Sequence, residues 1–529
     1  MGSEFDVVVV GSGAAGMTAA LCAAHQGLRT VVIEKGSEFG GSTARSGGGI
    51  WIPNNAVLRA AGVPDSPEQA ATYLEHLAGD VPAELREAFL RTGPAMLEFV
   101  RAHTPLDFRW VRDYADYYPE APGGLRQGRS VEPKPLRAAV LGAELANLIP
   151  PYVPTPANIV ITQIDYRWLT LITRHPRGVL TAVRVFARKF LPGRRLSMGQ
   201  ALAAGLRAGL LRMNVPVRLN TPLTDLHFEN GRVAGVISND KVICAPNVVL
   251  AAGGFEHNER MRKEHQRAPI STEWTVGAKT NTGDAIEAGM RAGASTALLD
   301  DAWWGPSVPL PRGPFFLLAE RSLPGCILVN GRGARFVNEA APYIDVVNAM
   351  YEQNMPTWLI ADQRYRDRYP FMGFPPRRPL PRRWQITRAS SLEELGKETE
   401  LPGLVDTVRR FNELAESGED TDFRRGDSSY DRYYGDPTNR PNPCLAALVK
   451  PPFYAVRIVP GDLGTKGGLR TDARARVLRD DGSVIPGLYA AGNTSAPVMG
   501  RSYAGAGSTL GPAMTFGYLA GLDISGGTP

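Results

Sequence analysis

Six residues close to the start of the sequence, Gly11, Ser12, Gly13, Ala14, Ala15 and Gly16, carry the glycine spacing of a diphosphate cradle. Gly11 permits a tight turn, Gly13 lets the backbone approach a pyrophosphate, and Gly16 lets a helix and a strand pack closely. A helix opening in this loop turns its unpaired N–H groups toward the diphosphate. Glu34 stands where a carboxylate accepts hydrogen bonds from adenosine ribose hydroxyls. Lys35 to Thr43 reads KGSEFGGST. Headed by Lys35, it offers the N–H groups and hydroxyls of Gly41, Ser42 and Thr43 as a second phosphate wall. The chemistry these residues suit is the binding of a dinucleotide.

The elements around them fit that use. Phe5 to Val10, FDVVVV, is a continuous β-branched apolar run of the kind a central parallel strand needs. MTAALCAAHQG has helical composition and ends at Gly27, and Thr30 to Glu34, TVVIE, predicts a second strand. From Pro216, PVRLNTPLTDLHFENGRVAGVI predicts strand, turn, strand, a hairpin turn at Glu229-Asn230-Gly231, and strand. Val248 to Gly254, VVLAAGG, is a further buried strand that meets a glycine turn, with Ala252 and Gly253 beside the nucleotide. Asn281 to Gly289, NTGDAIEAG, predicts a loop entering a helix, with Asp284 as its cap or as a cofactor ligand. Near the end, IPGLYAAGNTSAP predicts a strand before Gly492 and Asn493, and the loop holding Ser508 and Leu510 opens a C-terminal helix. The fold class expected is α/β. A Rossmann-like nucleotide domain uses residues 1–299 and 465–529, and an α+β substrate domain over 300–464 is inserted between them.

At 529 residues the chain exceeds one simple core, which agrees with two domains. A composition of 43% hydrophobic and 21% charged residues excludes a disordered chain. The net charge of +6 is a mild basic bias, and the basic residues are scattered with no recognition motif, so no nucleic-acid partner is expected. Cys22, Cys244, Cys326 and Cys444 lie far apart with no CxxC pair, and the N-terminus leads directly into a strand. Both features point to free thiols and a cytoplasmic location. The seven histidines, His257 and His265 included, show no metal spacing, so no metal is expected. No uninterrupted apolar run is long enough to span a bilayer.

One excursion, near 155–195, stands apart. Within it RGVLTAVRVFARKFL sets Val179, Val183, Phe186 and Phe190 at helical spacing beside Arg184, Arg188 and Lys189. Such a helix either lies in a membrane interface, giving peripheral membrane association, or covers a core while its arginines reach into water. The second is the expectation here.

Arg45 to Trp51, RSGGGIW, carries Ser46, Gly47 and Gly48. It resembles the segment beside FAD in the flavoprotein superfamily of fumarate reductase and succinate dehydrogenase. Four further stretches resemble 3-ketosteroid Δ1-dehydrogenase more narrowly. They are DYYPEAPGG with GRS (Asp116 to Ser130), RFVNEAAPY (Arg335 to Tyr343), GDLGTKGGL (Gly461 to Leu469) and AAGNTSAPVMGRSYAGAGSTLGPAM (Ala490 to Met514). The similarity covers essentially the whole chain in matching order. It implies FAD as cofactor, a 3-ketosteroid as substrate, and a quinone or other carrier as electron acceptor, since no second dinucleotide fingerprint points to NAD(P)H. In the superfamily the C-terminal helix points its positive end at the flavin pyrimidine.

Carried across residue by residue, the resemblance assigns the 3-keto oxygen to the Tyr503 hydroxyl and the Gly507 N–H. Tyr343 becomes the base and Tyr117 its helper, although the adjacent Tyr118 is a one-residue alternative. The sequence reads YAGAG where the family has YPGPG, a change expected to loosen the loop without removing its donors. The implied reaction takes a proton from C2 and a hydride from C1, the hydride passing to FAD N5. Charge developing on the C3 oxygen must be stabilised, an effect of roughly 3–4 kcal/mol per donor. A phenol, with an ordinary pKa of about 10, needs help to act as a base near neutrality. Trp303, Trp304, Phe315 and Phe316 are expected to wall the steroid pocket. Two alternatives share this framework: a Δ4-(5α)-dehydrogenase, which oxidises beside the same ketone, and a fumarate-reductase-like enzyme, for whose carboxylates only Arg501 is at hand. A non-catalytic flavin module would need none of the four motifs.

Overall fold

The computed structural model describes residues 4–153, 159–352 and 354–527. Strand β1 (Val7–Val10), helix α1 (Ala14–His25) and strand β2 (Thr30–Ile33) form the nucleotide unit. Every residue of both strands is buried, which explains why neither run alternates with polar side chains: α1 covers one face of the sheet, and the strands Asp225–Glu229, Arg232–Ser238 and Lys241–Cys244 with the helix Asp284–Arg291 cover the other. The six-stranded sheet runs in the order 476–478, 484–490, 247–250, 7–10, 30–33, 217–218. All neighbours are parallel except the edge strand Arg476–Leu478. Both ends of the chain therefore supply strands to it, and the C-terminal helix Leu510–Ile524 packs against α1.

A second, wholly antiparallel sheet is built from residues between 302 and 465. Its order is 315–316, 302–308, 453–465, 357–362, 326–329, with Thr387–Ala389 also pairing on the long Phe453–Thr465 strand. The predicted hairpin joins Asp225–Glu229 to Arg232–Ser238 through Asn230 and Gly231, whose φ values of 50° and 77° are those of a two-residue primed turn.

The excursion departs from expectation. Its first residues, 155–158, lie outside the described residues. The helix Pro176–Ala187 buries only Gly178, Thr181 and Val185, while Val179, Leu180, Val183 and Phe186 face solvent. It does not cover a core with its apolar stripe. Small side chains take the inner face, and two arginines fasten the helix: Arg184 and Arg188 both donate to the buried Asp165, the former at 2.7 Å.

The tight crossing of β1 and α1 rests on two glycines. Gly11 has φ +105°, and a Cβ on Gly16 would lie 2.0 Å from the Gly11 carbonyl oxygen. Gly16→Val is expected to lower both the thermal midpoint and the bound-flavin absorbance ratio of the purified protein. Unchanged values would show that this crossing tolerates a side chain.

Candidate active site

A cavity of about 940 Å³, near the upper end of small-molecule sites, runs from the first glycine loop to a wall of tyrosines. Gly11, Ser12, Gly13, Ala14 and Ala15 line its nucleotide end together with Glu34 and Lys35. Gly41, Ser42, Thr43, Ser46, Gly47 and Gly48 line it as well, as do Ala252, Gly253 and Asp284. Gly492, Asn493 and Leu510 carry the lining toward the C-terminal helix. Two predicted residues stand outside the wall. Gly16 sits behind it at the strand crossing, and the Ser508 hydroxyl is engaged by Gly505, accepting its N–H at 2.9 Å and donating to its carbonyl at 2.8 Å.

Hydrogen bonds make the loops one unit. Ser12 donates to Glu34 Oε2 through its N–H (3.1 Å) and its hydroxyl (2.5 Å), and the Gly36 N–H donates to Oε1 at 2.9 Å. The Ala14 N–H donates to Thr43 Oγ1 (2.9 Å), while Ala278 N–H and Asn281 Nδ2 donate to Ser42 Oγ (2.9 and 3.0 Å). Lys35 Nζ meets Asp284 Oδ2 at 2.6 Å, so that carboxylate is an ion-pair partner rather than a cap, and Gly283 is the N-cap. These residues fit FAD. A Cβ placed on Gly13 would meet only Thr43 Oγ1, at 3.6 Å, so the backbone there is open to close approach by a diphosphate.

At the far end three tyrosines from distant segments converge. The Tyr117 hydroxyl donates to the Tyr343 hydroxyl at 2.9 Å. The Tyr117 and Tyr503 rings stack with centroids 5.0 Å apart, and Tyr343 stands edge-on to Tyr503 at 5.3 Å. Tyr118 instead donates to Asp345 Oδ1 (2.8 Å), which separates it from its neighbour. Burial pushes the Tyr117 and Tyr343 phenols well above their ordinary value, and the hydrogen bond from Tyr117 partly opposes this at Tyr343. Tyr503 is also raised by burial, and less so because its hydroxyl interacts with Tyr343 and Thr509. Tyr343 opens the helix Tyr343–Tyr351, where the backbone dipole favours a negative side chain.

Gly507 has φ +100°, and a Cβ there would lie 2.5 Å from the Gly49 carbonyl carbon and oxygen. Its carbonyl accepts from Trp51 and Gly511, and no acceptor among the described residues takes its N–H. The loop that carries alanines in place of prolines is anchored through its carbonyls. Ala504 O accepts from Tyr73 Oη (2.7 Å) and Tyr117 N–H (3.0 Å), and Ala506 O from Ser130 Oγ (2.7 Å).

Phe315 and Phe316 line the cavity, but Trp303 and Trp304 do not. Trp303 stands one layer behind the wall, edge-on to Tyr503 at 5.0 Å with its Nε1 donating to Asn493 Oδ1 (3.0 Å), and Trp304 is buried with its Nε1 donating to Asp301 Oδ1 (2.7 Å). Glu320 is a lining residue that sequence reasoning missed, and no local motif signals it. Burial pushes its carboxyl up to about 7.

The fold and cavity define an FAD-dependent α/β flavoprotein, and the family described as FAD binding domain matches residues 6–510. The 3-oxosteroid 1-dehydrogenase of Mycolicibacterium smegmatis is 55% identical over 99% of this chain and 98% of that protein. The crystal structure of 3-ketosteroid delta1-dehydrogenase from Sterolibacterium denitrificans, in complex with 1,4-androstadiene-3,17-dione, matches with a TM-score of 0.94 at 41% identity, covering 99% of both chains. The 3-ketosteroid-delta4-(5alpha)-dehydrogenase of Rhodococcus jostii shares the fold, with a TM-score of 0.69 at 22% identity over 99% and 97% of the two chains. The chain belongs to the 3-oxosteroid 1-dehydrogenase family of FAD-dependent enzymes.

Binding an uncharged apolar ligand buries Glu320 further and favours its neutral form. Affinity for such a ligand is therefore full below about pH 7 and declines as the carboxyl ionises above it. Flavin-absorbance titrations at pH 6 and pH 8 are expected to differ several-fold in Kd for the native protein and to coincide for Glu320→Gln.

Proposed function

We propose that the protein desaturates the C1–C2 bond of 3-ketosteroids. The observation that carries this reading is the 2.9 Å contact between Tyr117 and Tyr343 in the wall of the same cavity that begins at the nucleotide loop. FAD, when bound, would supply the two-electron oxidant for the C1 hydride, with a quinone or other carrier as the electron acceptor.

The chain's own residues handle the proton and the charge. Tyr503 O–H and Gly507 N–H hold the C3 oxygen, and an N–H with no acceptor among the described residues suits an oxygen that becomes negative. Drawing electron density onto that oxygen acidifies C2. Tyr343 then receives the C2 proton on its phenolic oxygen. Because burial raises its pKa, this tyrosine holds its proton through the neutral range, and the fraction in the basic form grows with pH. The Tyr117 hydroxyl stabilises the phenolate by donating to it, and the helix start at Tyr343 acts in the same direction. Phe315, Phe316 and Leu318 supply apolar surface for fused rings.

Anaerobic addition of androst-4-ene-3,17-dione is expected to bleach the flavin band and yield the 1,4-diene. Tyr343→Phe and Tyr503→Phe should each slow bleaching about a hundredfold or more with FAD retained. Bleaching at the native rate in either variant overturns that residue's role, and a product unsaturated elsewhere in the ring overturns the reaction. Tyr117→Phe removes the donor that lowers the Tyr343 pKa, so the acid limb of its pH–rate profile should move up by about one unit. An unmoved limb would release Tyr117 from this role.

A further inference from the structure

The helix Pro176–Ala187 and the turn after it point their apolar side chains outward. Val179, Leu180, Val183, Phe186, Phe190 and Leu191 are 46–73% exposed and make up half of the large hydrophobic residues exposed among the described residues. This orientation is built in. A Cβ on Gly178 would lie 2.5 Å from the Leu171 carbonyl oxygen, so the inner face approaches its support at backbone distance. The Asp165 carboxylate, fully buried, then holds Arg184 and Arg188 from below. Sequestering the phenylalanines inward would require breaking both ion pairs.

Charge selects the occupant of this face. Residues 159–195 contain eight Lys and Arg and one acid, Asp165, which is already spent on the two arginines. Arg177, Lys189 and Arg194 are exposed and have no ion-pair partner among the described residues. A second copy of the chain meeting this face would oppose like charges, whereas an anionic lipid surface would satisfy both the cations and the apolar stripe. No described helix is long and apolar enough to cross a membrane, so the contact is interfacial.

The face also adjoins the cavity. Tyr166, Leu169 and Thr170 line the cavity from the segment on which the helix rests, and Ile159 and Ile161 line it just upstream. We propose that the Val179–Leu191 face docks on an anionic bilayer, seating Phe186 and Phe190 at the acyl boundary, so that apolar substrate reaches the cavity from the lipid phase. The entry route rests on the steroid reading above; the docking does not.

Flotation of the FAD-loaded protein with phosphatidylcholine vesicles containing phosphatidylglycerol tests the docking, with phosphatidylcholine alone as the comparison. Binding is expected to need the anionic lipid, to weaken with salt, and to fall at least about tenfold in Phe186→Ser/Phe190→Ser. That variant should keep the native flavin ratio and thermal midpoint, oxidise steroid from solution at the native rate, and oxidise vesicle-dissolved steroid more slowly. Equal flotation of the variant, no binding to anionic vesicles, or self-association that the variant abolishes would each overturn the docking. Protein that floats through this face yet bleaches with no steroid would overturn the proposed reaction alone.

Discussion

The hydrogen bond between the Tyr117 and Tyr343 hydroxyls joins positions 226 residues apart, inside a wall where neither ring is more than 3% exposed. In that setting an anionic oxygen cannot be solvated by bulk water, so any charge formed must be met by donors fixed beforehand. A donor displaced by an ångström loses most of its effect. The positions of the three tyrosines and of Gly507 therefore constrain how firmly the loops beneath them must be held.

Buried ion pairs supply that firmness. Behind the Tyr117 loop, the fully buried Arg129 guanidinium donates to Asp65 (2.8 Å) and Asp116, and Asp116 also accepts from Trp51 Nε1 (2.8 Å). Behind the Tyr343 loop, Glu339 accepts from Arg335 (2.9 Å) and Arg425 (3.0 Å), and Arg335 extends to Asp420 (2.8 Å). Removing one partner of such a pair leaves an uncompensated buried charge at a cost of about 3–5 kcal/mol. Both networks draw on the sequence motifs DYYPE and RFVNEAAPY, so Asp116, Arg335 and Glu339 are the supports of their tyrosines. The third loop has a buried pair of its own, Lys466 with Asp301 (3.2 Å), whose Lys466 Nζ donates to the Ser502 carbonyl (3.2 Å), and its alanine carbonyls are held by Tyr73, Tyr117 and Ser130.

The outward-facing helix obeys the opposite rule. An amphipathic period reveals that a helix has an apolar stripe but not which way the stripe turns. Here direction is decided by Asp165, whose buried carboxylate must be paired, and by the small side chains that let the helix sit close. Pairing a buried charge outweighs covering side chains that a bilayer could cover instead.

Much of the nucleotide end was legible from sequence, because its constraints are local: Gly11 and Gly16 meet each other within one strand–turn–helix crossing, and Asn230-Gly231 dictates its own turn. The tyrosines were legible only through family resemblance, since with 17 tyrosines in the chain nothing local distinguishes Tyr343 from the rest. Trp303 and Trp304 were misjudged for a related reason: aromatic character predicts burial, but tertiary packing decides whether a buried indole reaches the cavity or stops behind its wall, as Trp303 does against Tyr503. Glu320 carried no signal, because its altered carboxyl arises from burial by segments remote in sequence. By itself the sequence determined the dinucleotide unit, the α/β class and the set of groups available for chemistry, all consequences of short-range sterics and periodicity. Only the tertiary structure decided which tyrosines touch, which aromatic rings line the cavity and which way the basic helix faces, because those depend on long-range packing and on the need to pair every buried charge.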